Sequence, residues 1–85
     1  MAKVKVGTVI HYFDKLGVAV IKLTKTGLKI GDRVQLTNKE GKEFEQTIDS
    51  MQIEHAQIDI AKSGDEFGLK TKDKVKQKST VVKIS

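Results

Sequence analysis

Two stretches of this chain, Gly27-Leu28-Lys29-Ile30-Gly31-Asp32-Arg33-Val34 and Ala61-Lys62-Ser63-Gly64-Asp65-Glu66-Phe67-Gly68-Leu69, place Gly-Asp immediately before a short apolar run. Glycine accepts φ > 0 without Cβ strain, aspartate can bond nearby backbone, and the Val or Leu that follows begins strand-like alternation. A bend that feeds a strand, found twice, constrains the chain to a small β architecture. It also makes Gly31 and Gly64 backbone requirements rather than ligand contacts.

The remaining pattern agrees. Apolar positions alternate or run together over short stretches, and no window sustains helical spacing with caps at both ends. Residues 4–13 read as a first strand, Asp14-Lys15-Leu16-Gly17 as a hairpin turn, and residues 18–23 as a second strand, apolar on both faces and therefore central. A crossing loop over 24–31 leads to a third strand at 32–37 and a turn at Asn38-Lys39-Glu40-Gly41-Lys42. A long fourth strand follows, in which Phe44 and Ile48 share one parity and Met51 and Ile53 the other. Keeping all four inside requires a bulge or bend near Asp49-Ser50. Ile58, Ile60, Phe67, Leu69, Val81, Val82 and Ile84 supply the other strands. The expected core contains Val20, Val34, Leu36, Ile48 and Leu69, with no helix longer than about two turns. No internal repeat, low-complexity tract or linker interrupts the reading.

With 85 residues and no cysteine, the chain has neither disulfides nor thiolate metal sites and must fold by burial alone. A domain of this size buries roughly 60 to 65 per cent of the surface its unfolded chain exposes, which limits residues 1–85 to one core and one domain. No apolar run of signal length follows Met1-Ala2-Lys3-Val4-Lys5, and no segment approaches the roughly 18 apolar residues of a membrane span. A cytoplasmic protein without a membrane partner is the expectation.

Sixteen basic against eleven acidic residues leave a net charge of +5, which favours approach to polyanions. Lys70, Lys72, Lys74, Lys76 and Lys78 fall at every second position. An extended chain would align them on one face over about 26 Å, at ~3.3 Å per residue, with Val75 pointing the other way. Such a ladder either keeps an edge strand from pairing with another chain or contacts phosphates.

Four segments in order, Gly7-Thr8-Val9, Leu28-Lys29-Ile30-Gly31-Asp32-Arg33-Val34, Ile48-Asp49-Ser50-Met51-Gln52 and the stretch from Ala61 to Leu69, resemble the second domain of elongation factor Tu, over nearly the whole chain. The run Phe44-Glu45-Gln46-Thr47-Ile48-Asp49-Ser50-Met51-Gln52-Ile53-Glu54-His55 is closer still to free-standing elongation-factor-like small proteins, and the chain is also similar to the C-terminal barrel of collagenase-like peptidases. The resemblance implies an all-β, closed six-stranded Greek-key barrel of the translation-protein type. It implies no nucleoside triphosphate site: Gly41-Lys42 is followed by Glu43, and Leu36 stands where a phosphate loop would open with glycine. The chain departs from the elongation-factor pattern at Thr26-Gly27, at Lys78-Ser79 and at Glu66, where a carboxylate replaces an amide in the loop between Gly64 and Gly68.

Catalytic chemistry finds little support. His11 and His55 have no His or Cys at ligand spacing, Glu54-His55 is not a zinc motif, and Asp65, Glu66, Glu40, Glu43 and Glu45 read as turn and solvated positions. No enzyme, cofactor or metal is expected. Tyr12 and Phe13 flank the first hairpin turn, so at least one faces outward, where an aromatic ring can stack on a base or fill a partner's pocket; alternatively one closes the barrel end and the other packs on the hairpin. Two functions follow. The leading one is a non-catalytic module of translation-factor type contacting RNA or a ribonucleoprotein through the five lysines, with Tyr12, Phe13 and Glu66 as a further recognition surface. The alternative is a protein-interaction or substrate-positioning module of the kind the peptidase resemblance implies.

Overall fold

The computed structural model describes residues 3–25, 27–54, 56–72 and 74–84. Thr26 and His55, singled out above, lie outside them. The strands are β1 (Lys3–Phe13), β2 (Val18–Leu23), β3 (Leu28–Lys29), β4 (Arg33–Thr37), β5 (Glu43–Thr47), β6 (Met51–Ile53), β7 (Ala56–Ile58), β8 (Ile60–Ala61), β9 (Glu66–Lys70) and β10 (Thr80–Ile84), and no helix occurs among the described residues. Eight strands form one antiparallel sheet in the order β5-β4-β10-β1-β2-β9-β6-β7, while β3 and β8 pair separately. β2 lies between β1 and β9, the central place that its two apolar faces require.

The two Gly-Asp motifs adopt the same structure. The Asp32 N–H donates to Lys29 O at 3.1 Å and the Asp65 N–H to Lys62 O at 2.9 Å. Gly31 and Gly64 stand at φ +96° and +92°, the left-handed geometry of the third position of a type II turn. Each aspartate then reaches back three residues: Lys29 N donates to Asp32 Oδ2 at 3.0 Å, and Lys62 N to Asp65 Oδ2 at 2.8 Å. Each turn also clamps the peptide groups of one buried residue. Gly31 N donates to Ile48 O and Ile48 N to Asp32 O, at 2.9 and 2.8 Å; Gly64 N donates to Leu23 O and Leu23 N to Asp65 O, at 2.8 and 2.9 Å.

β3 and β8, which lead into these turns, pair with each other, so the two turns flank one short ladder. In sequence the two turns share Lys29 and Lys62, Gly31 and Gly64, and Asp32 and Asp65 at the same spacing.

Val34, Leu36, Ile48 and Leu69 are buried, with Ile21, Leu23, Phe67 and Val81. Val20 departs from expectation. It is half-buried on the outer face, because Ala19, Ile21 and Leu23 take the inward parity of β2. Two bulges sit in β1, where Val6 and Ile10 each lack a directly opposed partner. Each bulge adds one residue to the two-residue period, so Val6, Val9 and Tyr12 face inward at a spacing of three. Near Asp49-Ser50 there is instead a break. β5 ends at Thr47 on β4, and β6 begins at Met51 on β9.

That break also explains why the closed six-stranded Greek-key barrel does not form. The chain leaves β5 for a different strand, so β5 and β7 remain as the ends of an open order.

Truncating Leu36 or Ile48 to Ala is expected to cost about 2–5 kcal/mol, read by chemical denaturation. Gly31→Val or Gly64→Val is expected to cost about 1–3 kcal/mol, from the strain of a β-branched residue at positive φ, and to lower the melting temperature accordingly.

Candidate functional site

The five lysines do not form a single extended ladder. β9 ends at Lys70, and residues 71–72 and 74–79 form a loop without strand pairing. Thr71 N donates to Gly17 O at 3.0 Å, which draws the chain onto the first hairpin turn. The loop rejoins the sheet where Lys78 N donates to Val9 O and Val9 N to Ser79 O, at 2.7 and 2.9 Å, with Lys78 at φ +68°. Within this loop Val75 turns into the core, as its parity suggests, while Lys72, Lys74, Lys76 and Lys78 are exposed. Lys76 is bound to Glu40 across the loop. Its hydrogen bond and positive charge hold the Glu40 carboxyl below the usual carboxylate range.

Between β5 and this loop runs a seam in the sheet. At one end Gln46 closes it. Its Nε2 donates to Lys70 O and its Oε1 accepts from Lys72 N, both at 3.0 Å, so a side-chain amide supplies the pairing a neighbouring strand would give. At the other end the seam opens into a groove of about 500 Å³, with buried Leu36 and Val75, half-buried Phe44 and the exposed side chains of Lys42, Glu43 and Lys74 along it. A second concavity, about 420 Å³, lies beyond Gln46 and is polar, lined among others by Arg33, Glu45, Asp49, Lys70 and Lys72. Arg33 Nε and Glu45 Oε1 are already paired there at 3.1 Å.

Tyr12 lies opposite buried Ala19 and packs against the core, whereas Phe13 points outward and meets His11 edge-on with ring centroids 4.6 Å apart. Glu66 is not in a loop; it opens β9, exposed and opposite Lys22. Thus Tyr12 and Phe13 lie on opposite faces, and Glu66 belongs to another part of the sheet. Among the described residues no group of three or more His, Cys, Asp or Glu is placed to hold a metal ion. No helix among them is long and apolar enough to cross a membrane.

Gln46, Phe44 and Lys42 were not singled out by motif. The available signal was a polar residue at inward parity in Phe44-Gln46-Ile48, which on a half-buried strand demands a specific hydrogen-bond partner.

No family model matches the chain. An uncharacterized protease of Methanocaldococcus jannaschii is 36% identical over 75 residues, covering 88% of this chain; the match spans only 18% of that protein's length. In structure, the chain is similar to the C-terminal domain of a Geobacillus thermoleovorans protein assigned to the U32 peptidases. The TM-score is 0.87 at 22% identity, covering 95% of this chain and 92% of that one. The selenomethionine variant of the same domain gives a TM-score of 0.83 at 22% identity, covering 91% and 95%. The fold is therefore the small all-β fold found at the C-terminus of that protein. These matches are to peptidases, and they lend no support to a translation-factor or RNA-binding role.

Replacing Gln46 with Leu is expected to lower stability by about 1 kcal/mol and to speed amide exchange at Lys72, because two part-buried peptide groups lose their partner. The pairing of Glu40 with Lys76 is present at neutral pH and is lost as pH falls through the depressed folded value. A carboxyl titration followed by NMR is expected to give a lower Glu40 midpoint in the wild type than in Lys76→Gln.

Proposed function

We propose that this chain is a non-catalytic module that binds polypeptide, positioning a substrate or partner for a peptidase. The observation that carries this reading is the near-complete match to one separately crystallised peptidase domain, 95% of it in the selenomethionine variant. The greater part of the related M. jannaschii protease has no counterpart in these 85 residues, so hydrolysis is assigned to portions outside the matched region. Within the described residues, His11 packs on the Phe13 ring, and the acidic side chains that form bonds serve turns and surface ion pairs.

The peptide-binding and RNA-binding readings differ in their response to salt. Contact with several phosphates releases counterions, and each lysine involved adds about 0.7 to the slope of log affinity against log salt for a single strand. Binding to polypeptide through a partly apolar surface lacks that term. Purified protein is expected to bind reduced, carboxymethylated lactalbumin, a permanently unfolded acidic chain, without cleaving it. Between 50 and 200 mM salt the affinity is expected to change by less than about tenfold, against the roughly 10³-fold or greater loss of multi-phosphate binders. Cleavage of that chain, or tight salt-sensitive binding of oligouridylate with no binding of polypeptide, would overturn the reading.

A further inference from the structure

The open end of the seam combines three features. First, it has an apolar floor: Leu36 and Val75 lie at its base and Phe44 is half-buried in its wall. The groove, at about 500 Å³, is of a size that accepts a large side chain together with its flanking backbone.

Second, main-chain groups are available beside that floor. Asn38 N donates to Lys42 O and Ile48 N to Asp32 O, at 2.9 and 2.8 Å, which sets the alternation along the β4–β5 ladder. Residues 42, 44, 46 and 48 bond across to β4, so the peptide groups of Glu43 turn away from β4. On that side they have no main-chain partner among the described residues. Further along β5 the Gln46 amide holds the seam shut, so only the end at Glu43 can receive another chain.

Third, the rim is cationic. Lys42 and Lys74 stand over the groove with Glu43 as the one acidic side chain lining it among the described residues, while Lys76 is engaged by Glu40.

We propose that this groove takes an extended acidic segment of polypeptide, seating one apolar side chain over Leu36, Phe44 and Val75 and its neighbouring carboxylates on Lys42 and Lys74. The inference rests on the polypeptide-binding reading above and names its site and the chemistry of its ligand. A bound peptide satisfies the outward peptide groups of Glu43 by adding a short stretch of strand to β5. A polynucleotide suits the place less well. An apolar floor rewards an aliphatic or aromatic side chain more than a sugar, and the outward peptide groups of Glu43 match a peptide backbone rather than a phosphodiester.

The test is selection of peptides from a displayed library of random twelve-residue sequences, followed by measurement on the best binder. Selected sequences are expected to be enriched in Asp and Glu beside a single large apolar residue. Replacing that residue with Ser should weaken binding at least tenfold. Lys42→Glu with Lys74→Glu should weaken it by at least as much, with an unchanged circular-dichroism spectrum. Lys3→Glu with Lys5→Glu, on β1, should alter it less than twofold. The amide of Glu43 should exchange more slowly when peptide is bound.

If peptides bind the double variant Lys42→Glu, Lys74→Glu as tightly as wild type, polypeptide binding survives and this site is wrong. If the library yields no binder, both this site and the reading beneath it fall. If oligouridylate displaces the peptide and itself loses affinity in the double variant, with a salt slope reduced by about 0.7 per lysine, the groove is a nucleic-acid surface instead.

Discussion

The aspartate-closed turns at Gly31-Asp32 and Gly64-Asp65 are the constraint on which the rest of the fold is arranged. Each turn does three things at once. It reverses the chain with glycine in a left-handed conformation, satisfies a lysine N–H through a carboxylate, and holds both peptide groups of a buried residue at the end of a strand or just beyond it. Ile48 and Leu23 are fully buried, so their backbone groups need partners inside the protein, and the turns supply them. The pairing of β3 with β8 ties the two devices together, which gives a chain without disulfides a hydrogen-bonded frame around a small core.

The distinctive surface lies beyond those clamps, at β5. The outer edge of β5 is left without a neighbouring strand because the chain breaks at Asp49-Ser50 and continues as β6 against β9. On the opposite side of the gap, the Thr71 bond to Gly17 and the inward turn of Val75 keep residues 71–72 and 74–79 out of the sheet. Gln46 closes one end by imitating a strand, and the other end remains a groove rimmed by Lys42 and Lys74. An apolar base, open peptide groups and exposed cationic side chains meet there, and on them the proposed peptide site rests. That is consistent with a fold shared with the end domain of a peptidase.

Much of this was legible in the residues because short-range chemistry decides it. Gly31 and Gly64 were readable as positive-φ positions, since the dipeptide Gly-Asp before an apolar alternation has few other structural uses. The first hairpin, the central place of β2 and the inward turn of Val75 followed from period-two patterning. The peptidase resemblance was legible too, beside the elongation-factor resemblance that drew the leading function toward RNA. What failed did so where parity alone was trusted. Val20 was placed inside because β2 is apolar on both faces, and Lys70 to Lys78 were aligned because alternate spacing looks like a strand even where the chain does not pair.

By itself, then, the sequence determined the local devices: an all-β chain, the positions of its glycine turns, the hairpin between β1 and β2, and most of its core. Those features depend on backbone sterics and on contacts between residues near in sequence. Tertiary structure alone decided whether the sheet closed, where the bulges fell, and which lysines gathered about one groove. These depend on which distant strand wins each edge. The choice at Asp49-Ser50 between continuing along β4 and crossing to β9 is a competition among hydrogen-bond partners and buried side chains far apart in the chain, and no local pattern records its outcome.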